Sequence, residues 1–121
     1  MGKAIGYYFG TEINEKWWKR YTKDNLFARG TGEYWFDKKG VYFLRFLTVK
    51  PIFIPYDSIT EIKTGKWHSG RWGQGHMVIK ILWVKDSIKL SSGFILSKDK
   101  KKAQEILSEL QKSIVALSQN T

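Results

Sequence analysis

The stretch from Glu33 to Thr64, EYWFDKKGVYFLRFLTVKPIFIPYDSITEIKT, constrains the fold more than any other part of the chain. It reads as four short strands, each followed by a turn. Tyr34, Trp35 and Phe36 are β-favouring aromatics, and Asp37-Lys38-Lys39-Gly40 reads as a type I turn closing on a left-handed residue. Between Val41 and Phe46, alternation puts Tyr42, Leu44 and Phe46 on one face and Val41, Phe43 and Arg45 on the other, mixed one. Leu47 to Lys50 lead into Pro51, which has no N–H to donate and so starts a strand or lies on an edge. Ile52 and Ile54 share a face, Pro55 limits the pairing, Asp57-Ser58 is turn chemistry, and Ile59 to Thr64 form a further strand.

A chain of 121 residues fits one domain with one ordinary core. Its 42% hydrophobic and 16% aromatic content excludes a disordered chain. Cysteine is absent, which excludes disulfide and thiolate chemistry and fits a reducing, cytoplasmic setting. Arg45, Lys50, Lys80 and Lys85 interrupt every apolar run before it reaches the length of a membrane span. The opening MGKAIGYYFG lacks a full apolar signal region and a cleavage site, and Gly6 stands where a myristoylation motif needs Ser or Thr. A formal net charge of +10 points to an anionic partner, whether nucleic acid, an anionic lipid surface or an acidic protein; a solvated lysine-rich surface is the plainer reading.

Upstream of the stretch, Ile5, Tyr7 and Phe9 alternate as an edge strand would. Thr11 reads as the cap of a short helix starting at Glu12, with Ile13, Trp17 and Tyr21 as its apolar stripe and Lys16, Lys19, Arg20 and Lys23 around it. Packed on the sheet, or lying on a membrane interface, that helix belongs to an N-terminal extension over residues 1–30. Residues 31–97 then form the sheet and 98–117 a closing helix. Downstream of Thr64 lies GKWHSGRWGQGH, with four glycines, two tryptophans, two histidines, two cations and no acid. Lys66, Trp67, His68, Arg71, Trp72 and His76 are the candidate ligand-binding residues, because glycine-rich backbone beside cations can form an anion nest. The alternative is that Trp67 and Trp72 fold back to cap an open end of the barrel. Met77, Ile79, Ile81 and Trp83 mark a strand, Lys85-Asp86 a tight turn, and Ile88 and Leu90 the inward face of its return. Ser91-Ser92-Gly93 reads as a break before a last short strand, Phe94 to Leu96.

Ser97 is the expected N-cap of the closing helix, with Asp99 in its first turn. Ala103, Ile106, Leu107, Leu110, Ile114 and Leu117 form its apolar stripe, and Ser118 to Thr121 a frayed tail. Leu44, Ile81, Trp83, Leu107 and Leu110 are expected in one core.

About six or seven antiparallel strands followed by one amphipathic helix is the order of pleckstrin-homology (PH) domains. Gly32-Glu33-Tyr34-Trp35-Phe36, Val41-Tyr42-Phe43 and Ile54-Pro55-Tyr56-Asp57-Ser58-Ile59 resemble the GRAM and bacterial branch of that superfamily over roughly residues 31–117. The resemblance implies a mainly β fold, a bent antiparallel sheet or barrel capped by one C-terminal helix. It also implies a non-enzymatic module that binds lipid head groups or protein segments and needs no cofactor. Lipid-binding members use a basic motif in the first hairpin loop, where this chain offers only Lys38 and Lys39. His68 and His76, the only histidines, have no carboxylate beside them in the loop to complete a zinc site. Ser69 next to His68 makes no nucleophile elbow, and no Walker pattern is present. Trp35, Phe43, Trp67 and Trp72 beside cations fit the alternative of a single-stranded nucleic-acid binder, and a protein-interaction or oligomerisation domain is the third reading.

Overall fold

The computed structural model describes residues 2–119. Ten strands precede one helix: β1 (Ala4–Ile13), β2 (Lys16–Arg20), β3 (Gly30–Phe36), β4 (Gly40–Arg45), β5 (Ile52–Pro55), β6 (Ile59–Gly65), β7 (Trp67–His68), β8 (Arg71–Trp72), β9 (Val78–Lys85), β10 (Ile88–Ile95) and α1 (Lys100–Gln119). The main sheet runs β5-β4-β3-β1-β10-β9-β6, with β2 paired to β1 alone and β7 and β8 forming a separate hairpin. Each of these pairings is antiparallel. A single 3₁₀ turn, Tyr56–Ser58, carries the chain from β5 to β6, where Asp57-Ser58 predicts a turn. Pro51 precedes the edge strand β5, as a residue without an N–H should.

The N-terminal segment departs furthest from expectation. No helix starts at Glu12; residues 4–20 are a β-hairpin turning at Asn14 and Glu15, both at positive φ (53° and 56°). Two consecutive left-handed residues match the twist of a two-residue hairpin. The four-residue spacing of Ile13, Trp17 and Tyr21 is an even number, so it suits a strand's period as well as a helix's. Nor does β1 lie at an edge: it sits between β3 and β10. A bulge at Gly10, φ 103°, shifts its register against β10. Tyr8 thus faces the core before the bulge and Thr11 after it, while Phe9 and Glu12 face outward.

The core gathers Tyr8, Tyr34, Phe43, Ile54, Ile81, Trp83, Phe94 and Leu110. Leu107 packs against it, but Leu44 does not. The inward side chains of β4 are Val41 and Phe43, on the mixed face, because Arg45 falls at the strand's far end and leaves the core undisturbed. At the β3–β4 turn the Asp37 carboxylate accepts from the backbone N–H of Lys39 (2.7 Å) and Gly40 (3.1 Å). Gly40 is not left-handed; a Cβ there would lie 2.3 Å from the Ile54 carbonyl oxygen, so crowding by β5 requires the glycine.

Strand β10 is continuous through Ser91-Ser92-Gly93, where a break is expected. Ser92 is held by a chain of hydrogen bonds whose direction is set at both ends. The Trp83 indole can only donate, and gives its N–H to Ser92 Oγ (3.0 Å). The Leu26 carbonyl can only accept, and takes the Tyr8 hydroxyl proton (2.7 Å). Between them Ser92 donates to Thr11 (2.6 Å) and Thr11 to Tyr8 (2.5 Å), so each hydroxyl gives one proton and receives one. Burial pushes the Tyr8 phenol well above its ordinary pKa, which keeps it a donor. The chain ties β9, β10 and β1 to the loop at Leu26. At α1 the cap is Asp99 and not Ser97: its carboxylate accepts from Lys101 N–H (3.2 Å) and its carbonyl from Ala103 N–H (2.8 Å). Ser97 accepts in turn from Asp99 N–H. The helix continues to Gln119, through part of the expected frayed tail; Asn120 and Thr121, like the Leu117 side chain, lie outside the described residues.

Two substitutions test this packing. Leu110, fully buried between α1 and the sheet, should cost about 2–5 kcal/mol in chemical denaturation when changed to Ala. Thr11→Val keeps the shape but leaves Ser92 without an acceptor and Tyr8 without a donor. A loss of about 1–3 kcal/mol is expected, against a near-neutral change if the chain of hydroxyls carries no stability.

Candidate ligand groove

The composition of residues 65–76 predicts a long aromatic loop; the chain folds most of it into the β7–β8 hairpin. Ser69 and Gly70, at φ 50° and 76°, make a two-residue turn, and Trp67 pairs with Trp72 across it. The hairpin lies on the outer face of the sheet. Its anchor is His68, only 2% exposed. The imidazole rests on Gly93 of β10, where a Cβ would come within 2.3 Å of the ring, so only glycine leaves room. His68 Nε2 donates to the Ser91 carbonyl (2.9 Å), which fixes the tautomer and leaves Nδ1 to accept from the Ser69 hydroxyl (3.2 Å). Glu12 of β1 accepts the Ser69 backbone N–H (2.7 Å) and comes within 3.5 Å of His68 Nε2. Arg29 clamps the same place from the other side, donating to the Phe9 carbonyl (2.9 Å) and the Ser69 carbonyl (2.5 Å). Trp17 leans its ring on Gly70. Beneath the hairpin lies a second apolar cluster of Phe9, Val78 and Ile95, partly covered by Tyr7.

Burial sets the electrostatics. It pulls the His68 pKa down to about 3, so the ring is neutral at pH 7. Burial also raises the Glu12 carboxyl, against the pull of the Ser69 N–H, and lowers the Arg29 guanidinium, with the charges of Arg20 and Arg71 adding to the effect. Trp67 and Trp72 do not fold back as caps: they are 59% and 52% exposed, and the inward position is taken by His68.

Beside the hairpin lies a groove of about 500 Å³. Its floor is the outer face of β1 and β10, with Ile5, Tyr7, Phe9 and Ile95. One wall is Arg71, Trp72, Gly73, Gln74 and His76; Lys98 and Ser97 close it at the start of the helix. Among the described residues none in the lining is acidic. Of the candidate residues, Arg71, Trp72 and His76 meet here, whereas Lys66 and Trp67 lie outside the lining and His68 is packed beneath the hairpin. Ile5, Tyr7, Phe9, Ile95 and Lys98 escape a sequence reading as site residues. The alternation of Ile5, Tyr7 and Phe9 is visible, but not which face the 71–76 segment covers.

Strand order, helix and core now stand together, and a family model described as bacterial PH domain-like matches residues 1–111. The chain belongs to the bacterial PH domain-like family. The match includes the β7–β8 hairpin and extends over the N-terminal hairpin, beyond the segment on which the resemblance rests. No curated protein matches the sequence. PH-like domains are in general binding modules for lipids or proteins, and no helix among the described residues is long and apolar enough to cross a membrane.

The buried histidine makes a pH prediction. In the unfolded chain His68 takes a proton near pH 6.5; in the folded chain it does so only near pH 3. Between those values the unfolded state binds more protons, so stability falls as pH falls, by at most roughly 1.4 kcal/mol per pH unit. Glu12, with its raised pKa, gains a proton on folding just above its ordinary range and offsets part of this loss there. Urea denaturation of the wild type and of His68→Asn at pH 7 and pH 5 should show the steeper loss in the wild type.

Proposed function

We propose that this domain is a non-enzymatic binding module whose groove takes an anionic ligand. The observation that carries the reading is the groove itself: Arg71, Lys98 and His76 around an apolar floor, with no carboxylate in the lining among the described residues. An anion brought there meets the exposed side chains of Arg71 and Lys98, with no acid in the lining to neutralise them. Family membership supports the general class, a module that binds and does not turn over substrate. The grouping of Ser69, His68 and Glu12 supports it further. In composition it resembles a nucleophile, a base and an acid, yet each is buried and bonded to the others or to backbone, so no substrate can reach it.

A second observation favours action at a cytoplasmic membrane surface. The loop after β4 holds Leu47 and Val49 fully in solvent, 106% and 97% exposed, between Arg45 and Lys50. Leu47 sits at φ 65°, a conformation that leucine adopts only at some strain, and Thr48 pins it by two bonds to the Arg45 carbonyl. Apolar side chains held outward beside cations suit an anionic bilayer.

The double substitution Arg71→Glu with Lys98→Glu should weaken binding to phosphatidylglycerol vesicles and to single-stranded oligonucleotides by tenfold or more, and flatten the salt dependence of whichever binds in the groove. Lys66→Glu, outside the lining, should change either by much less. Equal losses from both variants would mean that the whole basic surface attracts the ligand and the groove does not.

A further inference from the structure

Resting on the reading of the groove as an anion site, we infer that its ligand is a single-chain amphiphile: an alkyl or acyl chain bearing one carboxylate or phosphate. The floor and the rim ask for different halves of such a molecule. Ile5 is 64% exposed although it belongs to a strand in the middle of the sheet, and it continues into Tyr7, Phe9 and Ile95. The accessible apolar surface runs from Ile5 past Tyr7 and ends against Phe9 and Ile95, 1% and 9% exposed, which close its far end beneath the hairpin. Arg71 and Lys98 then offer a cation for the head group, and Trp72, half exposed, flanks the track. A volume of about 500 Å³ lies within the usual range for a small-molecule site.

Two other occupants fit less well. An extended peptide would need unpaired backbone groups to complete a ladder, and the floor has none to give. Tyr7 is paired with Thr31 on one side and Ile95 on the other, so the β1 backbone is already committed. A nucleobase needs an aromatic face beneath it, and two of the four floor side chains are aliphatic. An alkyl chain asks nothing of the floor but contact and dryness.

The test is calorimetry on the full chain with hexanoate, decanoate, decyl phosphate and inorganic phosphate, each below its micelle-forming concentration. Full burial is worth about fourfold in affinity per methylene. Decanoate should therefore bind at least about tenfold tighter than hexanoate even with the chain only half covered. Arg71→Glu with Lys98→Glu should remove binding of both, while the neutral Ile5→Gln, at an exposed position, should remove the chain-length gain and spare hexanoate. Competition by phosphatidylglycerol vesicles would identify the source of the chain as a bilayer, and its absence a free amphiphile; both outcomes support the assignment. Affinity independent of chain length, with phosphate still lost in the charge-reversed variant, would overturn the amphiphile and leave the anion reading standing. A chain-length gain that survives Ile5→Gln would place the tail elsewhere and overturn the assignment as well. If none of the four probes binds, both readings fall together.

Discussion

Strand β10 is buried on both faces from Leu90 to Ile95, and the rest of the molecule answers to that constraint. A sheet strand in an antiparallel domain commonly shows one face to water. Here the inner face, Leu90, Ser92 and Phe94, belongs to the core closed by α1, and the outer face, Ser91, Gly93 and Ile95, must be covered by something else. The cover is the β7–β8 hairpin. It reaches across the sheet on one imidazole, which replaces the side chain that Gly93 lacks and bonds the backbone of Ser91. The two-sided burial also explains why polar residues populate the middle of the strand. Ser92 mediates between the Trp83 indole and Thr11, and Ser91 receives His68, so each polar group taken out of water has a partner.

The same device creates the groove. A hairpin anchored at its turn by His68 and Ser69 covers Phe9, rises from the sheet at Arg71 and Trp72, and leaves a step between its edge and the exposed Ile5 end of β1. Arg29 and Glu12 stiffen that step from below through Ser69. The residues of the groove wall are therefore held by others outside its lining, and the wall can be aimed without being part of the regular sheet.

What the sequence reveals and hides follows from this. The stretch from β3 to β6, the final strands and α1 are legible because their signals are local: alternation, turn residues and a period of 3.6 residues, which is enough for the architecture. The N-terminal hairpin is hidden because a spacing of four serves both periods, and what decides between them is the left-handed pair Asn14-Glu15. Ser91-Ser92-Gly93 looks like a break for a non-local reason. Its small polar residues are matched to Thr11, Trp83 and His68, partners up to 81 positions away. For the site, Arg71, Trp72 and His76 stand out by composition. Lys98 and the Ile5–Phe9 floor join them only through the sheet order, which brings the first strand beside the last. Lys66, Trp67 and His68 share that composition, but His68 is packed inward under the hairpin while Trp67 stays exposed, and neither Lys66 nor Trp67 reaches the groove lining.

Net charge by itself would have chosen no site. A surplus of ten positive charges spread over the surface of a domain is screened beyond about 10 Å at ordinary salt, so distant lysines attract an anion but do not position it. Position comes from charges that the fold cannot neutralise locally. Around the hairpin these are Arg20, Arg29 and Arg71; burial first, and then the charges of Arg20 and Arg71, lower the affinity of Arg29 for its proton. The nearby acid, Glu12, already spends one oxygen on the Ser69 N–H. Of these only Arg71 reaches the groove lining, so an anion at the rim would meet Arg71 without breaking any bond that holds the hairpin. On the proposed reading, an anion that binds beside Arg71 in the folded state should therefore stabilise the fold, since it finds no such site in the unfolded chain.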